Sequence, residues 1–397
     1  MHTTRIPRRT VLKVAAASAA SVALPALAQT GPVRIGYAIA RTGPWTGGAQ
    51  VSQEPNFLLW AEQQNAAGGL NVKGTKRQIE LISSDDQSNV ETCVRTYEKL
   101  MDSDKVDLVL PPWGSNANFA VAPIASRMGY PFLAPTALSR RLVEMKLPYF
   151  FLLLQQPKPM MDALVDLLKA NGAKTMAVIY VDDLFGLENY AALKVAVQGS
   201  GMTIVEDKSY PLGVKDLGPV LRSMKDKAPD AFVGLTYPPD TILASKTAKE
   251  IGFNPKFFYA SVGTAFQLYR NVMAAGAEGM LGMGSWNTKT SPGAKAYFDA
   301  HVRKFQKEPD RWASGACWAG LDILTAAVAK AGLDRKAIRD YVANTDHTTI
   351  IGKIKFVGSE NVGTPGSVSQ WQKGEFEVVW PKAIATAPLQ APKPPWV

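Results

Sequence analysis

Apolar residues along this chain alternate between two patterns. Short continuous runs rich in Val, Ile, Leu and Tyr are separated by longer stretches with apolar positions at helical spacing. Residues 33–40 (VRIGYAIA) and 78–83 read as strands, and 53–66 and 89–101 as the helices that follow them. Residues 106–110 form a third apolar run, stopped by Pro111, Pro112, Trp113 and Gly114. The next helix is predicted over 118–128, with Ser115, Asn116 and Asn118 as candidate N-caps and Gly129 as its stop. A strand at 130–134 and a loop at 135–139 complete the unit. Strand and helix in strict alternation predict a parallel sheet with helices on both faces.

The second half repeats the pattern. Strands are predicted at 175–181, near 203–210, at 231–235 and at 256–260, with helices between them. Lys105–Trp113 and Pro229–Pro238 echo each other: an Asp, an apolar strand, then an aromatic residue beside proline. The echo predicts two lobes of like topology, with Trp113 and Tyr237 at like positions. Residues 149–154 form a strand without a helix directly before it, and are expected to cross between lobes. Residues 280–286 and 351–357 are expected to be the second and third crossings. A hairpin is predicted over 368–379 around Lys373-Gly374, and the Pro-rich tail from 387 reads as extended.

In an open parallel sheet, ligands sit beyond the carboxyl ends of the strands. The loops holding Trp113, Gly114 and Ser115, and Thr136, Ala137 and Ser139, are two such ends side by side. The first also opens a helix, whose free N–H groups favour an anion. Taken alone, this stretch reads better as an ordinary pair of strand–helix turns. Trp45, Trp113 and Tyr237 add aromatic residues in predicted loops, where they can serve as ligand platforms.

Composition sharpens the class. The 397 residues carry a formal charge of +10, part of it at Arg5, Arg8, Arg9 and Lys13. No Lys/Arg-dense run with interleaved aromatics is present, which argues against nucleic-acid binding. Arg8-Arg9-Thr10-Val11-Leu12-Lys13 is a twin-arginine pattern, followed by a weakly apolar Ala/Ser-rich core and an A-x-A site at Ala26-Leu27-Ala28. The expectation is a signal peptide over residues 1–28, export by the twin-arginine route, and a mature periplasmic chain starting at Gln29. The two cysteines, Cys93 and Cys317, are read as buried thiols, with pairing left open.

Catalytic signatures are absent. There is no G-x-S-x-G elbow, P-loop, H-E-x-x-H or C-x-x-C. His301 falls in a charged helix and is expected to be solvated, His347 lies in a polar turn, and neither has neighbours at metal-ligand spacing. Asp85-Asp86 and Asp182-Asp183 follow strands and are expected to cap helices rather than do acid–base work. The reading is therefore no enzyme and no cofactor.

Nearly the whole mature chain resembles a known family. Ile35-Gly36-Tyr37 with Thr42-Gly43-Pro44, Glu62–Leu70 (EQQNAAGGL), Asp85-Asp86, Gly114-Ser115, Pro135-Thr136-Ala137, Asp183–Gly186, Tyr237-Pro238 and Gln370-Trp371 to Trp380-Pro381 carry the likeness. Together they resemble the periplasmic solute-binding proteins of ABC importers, of the leucine/isoleucine/valine-binding type. The resemblance implies an α/β type I periplasmic binding fold: two Rossmann-like lobes with parallel sheets, joined by three crossover segments. Residues 29–150 and 281–352 would form the N-terminal lobe, and 151–280 and 353–397 the C-terminal lobe. It implies a monomer that closes around a small-molecule ligand and delivers it to a membrane permease. A periplasmic sensor subunit would have the same fold.

The family's site carries over in part. The resemblance gives Ser115 the ligand carboxylate, Thr136 a backbone carbonyl for the ligand ammonium, and Phe185 and Tyr237 the cleft aromatics. Two positions depart. The family's carboxylate-binding threonine falls on Leu138, next to Ser139, and the glutamate that neutralises the ammonium falls on Ser261. A buried ammonium without a negative partner is costly. The expected ligand is therefore a small carboxylate lacking an amino group, such as an aromatic acid. The alternatives are a branched-chain amino acid held by another acid, Asp183 or Glu278, or a small amide.

Overall fold

A computed structural model describes residues 31–396. The signal peptide and cleavage site expected over residues 1–28 lie outside the described residues. The first lobe is built on Val33–Ile39, flanked in parallel by Ile79–Asp85 and Leu108–Val109. Val33 to Ile39 pairs with Ile79 to Asp85 residue by residue, and Ile35 stands opposite Leu108. Phe132–Ala134 and Phe150–Leu152 pair in parallel beside this sheet. Val33–Ile39, Leu108–Val109, Phe132–Ala134 and Phe150–Leu152 are almost wholly buried, which is why they read as continuous apolar runs, whereas Ile79–Asp85 at the sheet edge is buried only at Ile79.

The second lobe holds a seven-stranded sheet. Its order is Glu375–Trp380, Val368–Gln372, Leu281–Gly282, Phe257–Ala260, Ala231–Leu235, Thr175–Val181, Thr203–Tyr210. The five strands from Leu281–Gly282 to Thr203–Tyr210 are parallel, and the hairpin Val368–Trp380 adds two antiparallel strands at the edge. The tail packs back on this lobe: the Gln390 amide donates to Gln370, and the Trp396 indole to the Phe253 carbonyl.

Backbone pairing sets where the chain changes lobe. Phe150–Leu152 still belongs to the first lobe, and the chain leaves it afterwards. Leu281–Gly282 pairs with Phe257–Ala260 and Val368–Gln372, so it belongs to the second lobe rather than the first. Phe356–Val357 and Glu360–Asn361 pair with each other and, through Glu360, with Leu152. They therefore belong to the first lobe, beyond the expected exchange at 353. Each segment goes with the sheet that satisfies its N–H and C=O groups, which hydropathy does not reveal.

The echo between the halves has a structural counterpart. Asp107 accepts from the Arg34 amide at the start of Val33–Ile39, and Asp230 accepts from the Lys174 and Thr175 amides at the start of Thr175–Val181. Each carboxylate ties its own strand to the neighbouring one at the amino end. Trp113 and Tyr237 then emerge at the opposite, carboxyl ends.

Three local readings need correction. The helix after Leu108–Val109 runs Ser115–Arg127, so Ser115, Asn116 and Asn118 are all inside it. Gly114 occupies the N-cap position at φ +88°, a conformation glycine adopts without strain, and no side chain caps this helix. His301 is buried rather than solvated: it packs between Tyr297 and Phe305, one turn to either side, and its Nδ1 bonds the Lys307 carbonyl. His347 is also buried, with Nε2 at the Val342 carbonyl. Cys93 and Cys317 are both buried free thiols.

Candidate functional site

The two lobes meet over a cavity that collects the carboxyl ends of both sheets. Trp113, Leu138, Phe185, Tyr237, Val262 and Phe266 supply most of its wall. Ser52, Gly114, Ser115, Thr136, Trp312 and Ala313 complete it. Together they bound about 340 Å³ of unfilled space, solvent at the mouth included. Trp113 from the first lobe meets Tyr237 from the second with ring centroids 5.5 Å apart, and Tyr237 stacks on Phe185 at 5.1 Å. Trp113 can lie this deep because Gly48 leaves room: a Cβ there would stand 2.1 Å from the indole ring. Gly48, inside the helix Thr46–Ser52, is thus space for a neighbour's ring.

Most polar side chains of the wall are engaged within the protein. The Trp113 indole donates to Ser52 Oγ, and Ser52 donates to the Gly48 carbonyl. Ser115 Oγ donates to the Leu138 carbonyl and accepts from the Leu138 amide, each at 3.0 Å. Thr136 Oγ1 donates to Gln53 and accepts from the Gly114 amide. Tyr237 donates to Asp183 at 2.7 Å. Burial and then the Asp183 charge hold the Tyr237 phenol well above its ordinary pKa, so it stays a donor. What the wall does leave open is the start of the helix Ser115–Arg127. Its first-turn amides have no intrahelical partners, and no side chain caps them. That end of the helix carries partial positive charge. Among the described residues, no Asp, Glu, Lys, Arg or His lines the cavity.

Behind the wall, Asp310 accepts from the Trp312 and Ala313 amides, and a second carboxylate, Asp183, accepts from Tyr237. Asp183 belongs to the second lobe, where Oδ1 caps the helix Leu184–Val197 through the Gly186 amide. Its Oδ2 accepts from Tyr237 and, across the cleft, from Asn116 Nδ2 at 2.9 Å. A second bridge runs from the Arg140 amide to Glu188, with the Arg141 guanidinium 3.6 Å from the same carboxylate. The lobes are therefore bridged at two points, both on the helix Leu184–Val197 and its cap.

The residues singled out from the sequence divide into three groups. Trp113, Gly114, Ser115, Thr136, Phe185 and Tyr237 line the cavity. Trp45, Ala137 and Ser139 are buried close by in sequence but do not. Trp45 precedes the helix Thr46–Ser52, and the Ser139 amide donates to Gln156 in the first crossover. Ser261 does not line it either. Its hydroxyl accepts from the Thr236 amide and donates to the Thr236 carbonyl, fastening two strand ends together. Glu278 accepts from the Lys373 amide, at the hairpin turn outside the cavity. Ser52, Leu138, Val262, Phe266, Trp312 and Ala313 were not foreseen as wall residues. Trp312 and Ala313 open the helix Ala313–Ala331, which follows the helix Pro292–Phe305 rather than a strand, so no strand-end rule points to them. Val262 lies one residue beyond Ser261, where alternation along the chain reverses which side chain faces the cleft.

Comparisons with known proteins agree with this architecture. A family model described as periplasmic binding protein matches residues 32–375. The Leu/Ile/Val-binding protein homolog 7 of Brucella abortus is 22% identical over 353 residues, covering 84% of this chain and 87% of its own. Among solved structures, LivJ of Streptococcus pneumoniae, the substrate binding protein of a branched-chain amino acid transporter in complex with isoleucine, superposes with a TM-score of 0.78. It is 22% identical and covers 88% of this chain and 100% of its own. An ABC transporter solute binding protein of R. palustris in complex with benzoate gives 0.79 at 16% identity, over 92% of this chain and 99% of its own. The matched span and the two parallel-sheet lobes lead to one conclusion. The chain belongs to the periplasmic binding proteins, a family of substrate-binding proteins that serve ABC transporters from the periplasm and are not enzymes.

Proposed function

We propose that this protein captures a small aromatic carboxylate in the periplasm and delivers it to the permease of an ABC importer. The observation that carries the reading is the cavity's chemistry. Flat aromatic surface from Trp113, Phe185, Tyr237 and Phe266 surrounds an uncapped helix start at Gly114-Ser115, and no ionised acceptor lines the wall. A carboxylate suits the helix start, where free amides and the helix dipole act together. An α-ammonium finds no counter-charge, and leaving one unpaired on closure costs several kcal/mol, roughly. In this reading Trp113, Gly114, Ser115, Thr136, Phe185 and Tyr237 hold the ligand, joined by Leu138, Val262, Phe266 and Trp312. Ser115 acts through its backbone amide, while its side chain braces the Leu138 loop.

The branched-chain amino acid named for the S. pneumoniae protein and the benzoate named for the R. palustris protein mark the two ligand classes to separate. Calorimetric titration of the mature protein with benzoate, 4-hydroxycinnamate, leucine and a short amide does so. The expected result is tight binding of an aromatic acid. Tight binding of leucine with none of the acids would overturn the reading.

A further inference from the structure

Among the side chains of the cavity wall, the Trp312 indole N–H stands apart. Ser52, Trp113, Ser115, Thr136 and Tyr237 all hold their hydrogen bonds to protein partners. Trp312 is 4% exposed, lines the cavity, and its Nε1 has no partner among the described residues. Trp45 and Trp286 also have unpartnered indole nitrogens, but neither lines the cavity. A buried N–H without an acceptor is a standing penalty, relieved by any ligand that brings one. An indole can only donate, so the ligand atom it meets is an acceptor.

Trp312 also stands apart from the Gly114-Ser115 helix start in the fold. It stands at the start of the helix Ala313–Ala331, where the preceding Arg311 amide donates to the Ala265 carbonyl, so it is fastened to the loop carrying Val262 and Phe266. The Gly114-Ser115 helix start is fastened instead to the Leu138 loop through Ser115 and to Asp183 through Asn116. The cavity thus presents donors from two separate supports.

Resting on the aromatic-acid reading above, we propose that Trp312 determines specificity by donating to a second oxygen of the ligand, away from its carboxylate. The ligand class is then an oxygen-substituted aromatic acid, bearing a ring hydroxyl, ether or oxo group, in preference to the unsubstituted acid. Trp312→Phe keeps an aromatic ring in the wall and removes the donor together with some ring area, a loss that benzoate reports by itself.

The test uses the mature protein and three probes: benzoate, 3-hydroxybenzoate and 4-hydroxybenzoate. The wild type is expected to prefer at least one hydroxylated acid over benzoate. Trp312→Phe is expected to weaken that acid by roughly 5- to 50-fold, as for loss of one buried hydrogen bond, and benzoate by less than about two-fold. Equal weakening of all three would show a packing role and overturn the proposal, as would a wild type that prefers benzoate. Indole ¹⁵N–¹H spectra give a reading independent of the variant's affinity. The resonance missing in Trp312→Phe should move downfield when the hydroxylated acid binds, and an unmoved resonance counts against the donor role. Failure of every aromatic acid to bind while leucine binds would overturn the functional reading itself. The Trp312 resonance with leucine bound then reports separately on whether the indole donates to a ligand.

Discussion

Replacing Asn116 by alanine removes the hydrogen bond that joins the lobes at Asp183 and little else. Asn116 Nδ2 lies 2.9 Å from Asp183 Oδ2, and Asp183 keeps Tyr237 and the Gly186 amide when it is gone. The second lobe's own cap is therefore intact in the variant. A hydrogen bond to a carboxylate contributes about 1.5–3 kcal/mol. Both partners are partly exposed, so solvent recovers some of this, leaving about 1–2 kcal/mol for the closed state. Because ligand is held by the closed form, that difference enters the apparent affinity directly, as roughly a 5- to 30-fold rise in Kd. The Arg140–Glu188 bridge and the Trp113–Tyr237 contact keep closure accessible. Calorimetry on wild type, Asn116→Ala, Asp183→Asn and the double variant should give a coupling of about 1 kcal/mol or more. Small-angle scattering should show a more expanded ligand-free ensemble for Asn116→Ala, with the thermal midpoint close to wild type. An unchanged Kd, or additive single effects, would show that the bridge does not bias closure.

Other outcomes follow from the same geometry. Gly48→Ala places a methyl against the Trp113 ring and should cost about 1–3 kcal/mol of stability while abolishing ligand binding, read by denaturant unfolding and calorimetry; wild-type affinity would contradict the packing account. Burial lowers the His301 pKa from 6.5 to about 4, so between these values the unfolded chain binds the extra proton and stability falls as pH drops. The loss approaches about 3 kcal/mol by pH 4. Burial raises Asp86 and Asp240 to about 6, so these groups bind more protons when folded and act in the opposite sense over the range 3.8 to 6. The contribution of His301 is therefore read as the difference between wild type and His301→Asn, which retains an N–H for the Lys307 carbonyl; parallel pH profiles would refute it. Changing Arg8 and Arg9 to Lys should leave the precursor in the cytoplasm, and normal periplasmic yield on fractionation would refute the twin-arginine route.

How much was legible in advance depended on whether a feature was local. The alternation of buried apolar runs with helical stretches determined two parallel-sheet lobes, because strand and helix place side chains at different periods. The matching aspartates, Asp107 and Asp230, with Trp113 and Tyr237 beyond their strands, carried the repeat of topology and the position of the cleft. The departure at Ser261 already argued against an ammonium ligand, although its hydroxyl serves the Thr236 backbone rather than the cavity. Local sequence did not determine which sheet the short crossover strands join, since Leu281–Gly282 and Glu360–Asn361 are placed by partners far away in the chain. Nor did it determine which polar groups the cavity leaves open. Ser115 reads as a ligand-binding hydroxyl until the fold sets the Leu138 backbone beside it, and Trp312 reads as one aromatic among many until the fold buries its N–H in the cavity wall. A donor is free or occupied only relative to its neighbours in space, and the helix start that brings Trp312 to the site is placed by partners far away in the chain, the Ala265 carbonyl among them.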